Sequence, residues 1–305
     1  MKATQTISAV LLVLLPLLAS CASPGKESSF TAASNKNGTR LVLLTNEGGN
    51  LRLSAPVEAI GPIQLQAHGD ILIGSGVGFA SNSGCPGIVV NGERFLTLAT
   101  ARATSGAVLQ SNDWHYVRLD GATAPTGALK SAHRHLLLIE PDLVVILDEL
   151  ALTNSAAVEL GFPFARPPVH DALRDEWNLQ SPHAGLTARF LTSPKCAQDW
   201  SMLTPAAVGG ASTNSAPGCV RSMVAESSYK FYQVTILAVH PDQSRRSLAF
   251  KLLESDTAIG ARIHRDGLPT LVAFRKASCA GEANLTGLKF TAPVAVDVFR
   301  PRKKK

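Results

Sequence analysis

Trp114, Tyr116 and Arg118 are spaced to meet a sugar. Trp114-His115-Tyr116-Val117-Arg118 reads as a strand, whose side chains alternate between faces, so these three share one face and His115 takes the other. Two aromatic rings with a guanidinium beside them suit a sugar that carries an acidic group. The competing reading places Trp114 and Tyr116 in a core. His133 and His135 share a face in the same way, a spacing that suits either a metal or two hydrogen-bonded imidazoles. Arg134, between them, has Asp120 and Asp148 as candidate ion-pair partners. Among the five cysteines, Cys196 and Cys219 enclose a polar, Gly- and Ser-containing loop and are the expected disulfide. Such a bridge stabilises by about 3 kcal/mol in the loop-entropy account. Cys85 and Cys279 are then left as a pair by arithmetic alone. Gly74-Ser75-Gly76 has neither the spacing nor the following helix of a nucleophile elbow or phosphate loop.

The remaining cysteine points to the cell envelope. Residues 1–21 combine Lys2, an apolar core from Ile7 to Leu18, and Leu18-Ala19-Ser20-Cys21, the pattern of a bacterial lipoprotein signal. Cys21 is the expected lipidated residue, and Ala22 after it, in place of Asp, points to the outer membrane, facing the periplasm or cell surface. Acyl chains on Cys21 supply the membrane attachment. Residues 22–39 are polar and small, as in a tether. Residues 40–300 form the body, and 301–305 a basic tail. Of 29 Lys and Arg, Lys2 lies in the signal and five lie from Arg300 onward, so the 23 that remain between them balance the chain's 23 Asp and Glu. A neutral body removes the main support for nucleic-acid binding.

The elements that must position these side chains are strands. His135-Leu136-Leu137-Leu138-Ile139 and Leu143-Val144-Val145-Ile146-Leu147 flank Glu140-Pro141-Asp142, which predicts a hairpin buried on both faces. Pro141 presets φ for the turn, and Asp142 can fold its carboxylate onto the backbone. Asn46-Glu47-Gly48-Gly49-Asn50 predicts a second hairpin between 41–44 and 51–53, and Asn91-Gly92 a third. Ile63 to Gln66 alternates as a half-exposed strand. Further strands are expected within 156–162, 187–191, 229–239, 247–253, 270–274 and 294–299. Many short strands without a long amphipathic helix predict an all-β fold, a large antiparallel β-sandwich in one domain.

The order Tyr116-Val117, Asp120, Ala122-Thr123, then Arg134 and Pro141-Asp142, resembles the C-terminal β-sandwich of the heparinase II/III-like polysaccharide lyases. The resemblance extends over about residues 60–300. In that family an H-x-H-x-D motif supplies a catalytic His and a structural zinc ligand. Here Gln66 stands at the catalytic His position, His68 and Asp70 match, and Cys85 stands where a later His is expected. The resemblance therefore implies a zinc set of His68, Asp70 and Cys85. On the residues alone, His68 can equally hold a strand end, and Cys85 can be a buried thiol or half of a disulfide. The family places most groups for β-elimination in an N-terminal α/α toroid, and only about 40 residues lie between Cys21 and the first family-like strand of this chain. With Gln66 in the sandwich as well, independent catalysis is not expected. The resemblance implies a module that binds an acidic, uronate-containing polysaccharide or assists a toroid-bearing lyase partner. The alternatives are a reduced lyase acting by β-elimination and a structural envelope protein without ligand.

Overall fold

The computed structural model describes residues 30–34, 40–56, 63–74, 88–94, 104–121, 128–202, 218–241, 248–265 and 268–298. Within them the chain is all-β, and no helix is long and apolar enough to cross a membrane. The first strands are β1 (Phe30–Ser34), β2 (Arg40–Thr45), β3 (Leu51–Pro56), β4 (Gln64–Ala67) and β5 (Asp70–Ile73). They are followed by β6 (Ile88–Val90), β7 (Glu93–Arg94), β8 (Thr104–Ser111), β9 (Trp114–Gly121) and β10 (Leu129–Ile139). The long β11 (Leu143–Phe164) leads to β12 (Val169–Asp171), β13 (Glu176–Gln180), β14 (Gly185–Ser193) and β15 (Ala197–Met202). The second long strand is β16 (Gly218–His240). After it come β17 (Leu248–Glu254), β18 (Ala258–Arg265), β19 (Leu268–Arg275), β20 (Ala283–Leu285), β21 (Leu288–Phe290) and β22 (Val294–Val298).

The expected hairpin of β10 and β11 lies at the centre. Ile139 pairs with Leu143 and His135 with Leu147 across the Glu140–Asp142 turn. β9 flanks β10 and β16 flanks β11, so four antiparallel strands run side by side, with β14 next to β16. Alternate residues of these strands enter two cores. Leu136, Leu138, Val144 and Ile146 pack with β2–β5 residues such as Leu44, Leu53, Leu65 and Leu72. Leu137, Ile139, Val145 and Leu147 pack with Ile259, Ile263, Val272 and Phe274 of the small sheet β17-β18-β19-β22. A strand between two apolar layers has no solvent face, which accounts for the unbroken apolar runs.

β11 and β16 are long enough to serve two regions. Their register shifts between Ala151 and Val158, and beyond the shift Val158 to Phe164 pair with Val224 to Gly218. There β11 also pairs with β5 and β6, and β16 with β15. Two expectations change. Phe30–Ser34 falls in the expected tether yet pairs with β2 as strand β1. β18 was not expected, because Gly260 and three charged or imidazole side chains break its pattern. Gly260 is nevertheless required: a Cβ there would stand 1.9 Å from the Val272 carbonyl oxygen.

Candidate functional site

One row of polar side chains crosses five adjacent strands on the face turned toward the small sheet. Asp120 of β9 pairs with His133 of β10, His133 with Glu149 of β11, Glu149 with Tyr232 of β16, and Tyr232 with Ser193 of β14. Side chains in register lie on one face, so strand pairing alone assembles residues far apart in sequence. At one end, Asp120 Oδ1 is 2.7 Å from His133 Nδ1 and 2.8 Å from Arg118 Nε, and Asp120 Oδ2 accepts from Arg118 Nη2 at 3.0 Å. At the other end, Ser193, Pro194, Lys230, Tyr232, Glu254, Asp256 and Lys276 line an open cavity of about 480 Å³. Ser193 donates to Glu254 Oε2 at 2.6 Å, and Lys276 Nζ donates to Glu254 Oε1 and to the Ser255 carbonyl, both at 2.7 Å. These bonds outweigh the effect of burial and lower the pKa of Glu254. Lys276 also sits 4.8 Å from the centre of the Tyr232 ring.

The middle of the row is closed. The Ala277 N–H donates to both oxygens of Glu149 at 3.1 and 3.0 Å, and burial raises the carboxyl's pKa. Beside it, the Tyr116 hydroxyl lies 2.8 Å from His135 Nδ1. Burial holds His135 well below its ordinary pKa, with Arg118 and His133 acting in the same direction. Burial also raises the hydroxyl pKa of Tyr116 and of Tyr232.

A second polar cluster forms at the central turn. Glu140-Pro141 is a cis peptide bond. Asn46 donates to the Pro141 carbonyl at 2.8 Å and accepts from the Leu51 N–H at 2.9 Å, while Glu140 accepts from the Glu47 N–H at 3.1 Å. The Asp142 carboxylate pairs with Arg265 of the small sheet. His115 Nε2 lies 3.8 Å from Glu140, and burial lowers the imidazole's pKa.

Several candidate residues take other roles. Trp114, Tyr116 and Arg118 do share a face, but it is an inner one. Tyr116 has 0% exposure and Trp114 packs against the same cluster, so they form core instead of a platform. The core burial of Leu137 and Phe274 opposite is what fills that face. Arg118 keeps partial exposure beside Asp120. Arg134 pairs with Asp148 at 2.6 Å, leaving Asp120 to His133 and Arg118. The Cys196–Cys219 bridge is not formed: Cys196 is a free thiol, as is Cys279, while Cys219 is disulfide-bonded. β15 pairs with β16 at Cys219 and fixes that residue opposite Ser201, away from the loop that carries Cys196.

Gln66 lies on β4 and donates from Nε2 to the Gly69 carbonyl at 3.4 Å. His68 begins the β4–β5 turn with φ of 48°, its N–H donating to the Asn50 carbonyl at 2.8 Å. Asp70 accepts from the His183 N–H at 2.8 Å, the main cause of its lowered pKa, and lies 3.3 Å from His183 Nδ1. Cys85 and Cys21 lie outside the described residues. Among the described residues no three His, Cys, Asp or Glu side chains converge as metal ligands. The polar row itself was not legible in advance. Its signal is register: five residues become neighbours only after four strand pairings are known.

No protein-family model matches the chain, and no curated protein is similar to it in sequence. Solved structures do share its fold. A heparan sulfate lyase HepC mutant from Pedobacter heparinus aligns with a TM-score of 0.60 at 10% identity, over 81% of this chain and 43% of that one. A heparinase III gene product gives 0.61 at 10% identity, over 84% and 43%. Another heparinase III structure gives 0.58 at 10% identity, again over 84% and 43%. The chain thus spans less than half the length of these proteins and has a heparinase-like β-sandwich fold.

Proposed function

We propose that this chain is an outer-membrane lipoprotein, held through Cys21, that binds an acidic, uronate-containing polysaccharide and presents it to a separate toroid-bearing lyase. The observation that carries the reading is the open cavity beside Tyr232. It is lined by the ammonium groups of Lys230 and Lys276 and by the carboxylates of Glu254 and Asp256, with Lys276 fixed by Glu254 and the Ser255 carbonyl, so a uronate meets donors for its carboxylate and acceptors for its hydroxyls. A few convergent polar groups in a concave site of this size favour small, hydroxyl-rich ligands. The heparinase-like sandwich supports a polysaccharide as the ligand class.

Holding is favoured over cleaving by the same geometry. β-Elimination needs a base able to take the C5 proton near neutral pH. Burial pushes the Tyr232 hydroxyl the wrong way for that task, and His135 is enclosed against Tyr116.

A binding screen of the full chain against alginate, heparin and heparan sulfate tests the proposal, with Lys230→Ala as the site control. Retention of one of these, weakened by Lys230→Ala, is the expected result. A rise in unsaturated-uronate absorbance during incubation would replace it with the lyase reading, and no retention at all would leave a structural envelope protein. Cys21→Ser is expected to move the chain from the membrane to the soluble fraction.

A further inference from the structure

The cavity ends one side of a shelf that continues past it. Directly outside the polar row, Ser131 of β10 pairs with Ala151 of β11, and Ala151 with Lys230 of β16. These three lie two positions from His133, Glu149 and Tyr232 along their strands, so they point to the same side. Ser131 and Ala151 are half-buried and Lys230 is exposed. The small side chains of Ser131 and Ala151 leave a low floor beside Lys230. In the row beside that floor stand Asp120 and His133, with Arg118 held against Asp120, each partly exposed.

The two ends of this shelf are built alike. At the β9 end Asp120 braces Arg118 and His133 at 2.8 and 2.7 Å, and at the β14 end Glu254 braces Lys276 at 2.7 Å. Arg118 and Lys276 are therefore each held in place by a carboxylate while keeping an N–H beyond that pair, since guanidinium and ammonium groups have several N–H bonds to give. Four strand spacings separate the ends, about 19 Å at roughly 4.8 Å per strand.

We propose that the binding site is this whole shelf, with a linear glycan lying across the strands from the Lys276 cavity over Ser131 and Ala151 to Arg118 and His133. The inference rests on the binding reading and extends it, assigning Arg118 and His133 as a distal subsite and Ala151 as its floor. A chain long enough to reach both braced cations gains a second contact without a second encounter.

The test is calorimetric titration of the full chain with di-, tetra- and hexasaccharides prepared from heparan sulfate and from alginate. Affinity is expected to rise roughly tenfold from disaccharide to hexasaccharide as the distal contact engages. Arg118→Ala and Ala151→Trp, the second placing an indole on the floor, are expected to remove that gain, and Arg118→Ala, on the strand farthest from the cavity, to leave disaccharide affinity within about twofold. Circular dichroism confirms that both variants are folded, and Ala151→Ser, which keeps the floor low, should retain the gain. Length-independent affinity, or a gain that survives both variants, overturns the shelf while leaving the cavity intact as a binding site. Failure of every oligosaccharide to bind overturns the binding reading itself, and the shelf with it.

Discussion

Arg134 and His133 are neighbours in sequence with opposite surroundings, and strand alternation is the reason. Arg134 points with Asp148, its register partner, into the core facing β2–β5, where Asp148 has 0% exposure. His133 points with Asp120 toward solvent beside the small sheet. The sequence left Asp120 and Asp148 open as partners of Arg134, and register decided between them. Arg134→Met would strand a buried carboxylate, and we expect a loss of about 3–5 kcal/mol in urea unfolding. Replacing Arg134 and Asp148 together by Met and Leu should recover much of it. His135 carries a pH effect of definite sign. Burial places its folded pKa well below the ordinary 6.5, so protons bind the unfolded chain more readily. The stability it secures is present above that value and lost as pH falls below it. His115, also shifted down by burial, adds to the slope, and Glu149, shifted up, opposes it. Unfolding midpoints measured between about pH 5 and 7 should therefore show a shallower acid loss in His135→Leu than in the parent chain.

At the scale of elements, the β10–β11 hairpin organises its surroundings through its turn. Glu140, Pro141 and Asp142 reach the β2–β3 turn through Asn46 and Glu47, and the small sheet through Arg265. Asn46→Ala breaks the bonds to Pro141 and Leu51 and leaves buried groups unsatisfied, for an expected cost of about 1–3 kcal/mol in equilibrium unfolding. The two central strands were plain in the sequence because both their faces are buried. β18 was not, because Gly260 and Arg262 read as interruptions. Its glycine answers to close packing, with the Val272 carbonyl where a Cβ would be. Gly260→Ala must push β18 from β19 and is expected to lower the melting temperature sharply, as strained core substitutions do.

Across the whole molecule, two long bent strands tie three layers together, and the covalent tie is at Cys219. The free state of Cys196 and Cys279 means that neither is its partner. Cys219→Ser is expected to cost about 2–5 kcal/mol under oxidising conditions, whereas Cys196→Ser, which removes a half-buried free thiol, should change the unfolding midpoint little. Denaturation of both variants with and without reductant checks this. The heparinase-like fold covers most of this chain but under half of its structural neighbours, so its chemistry must be argued from this chain's own cavity and polar row.

Composition and local pattern determined the strand-rich class, the central hairpin and the neutral charge of the body, because each depends on residues close together in the chain. The sandwich type came from motif order. Which face of β9 is inner, which carboxylate Arg134 takes and which cysteine is bridged depend on the neighbours that pairing supplies, and only the tertiary structure decided them. The same holds for the row from Asp120 to Ser193. Its members span four strand pairings, and no spacing along the sequence carries that register.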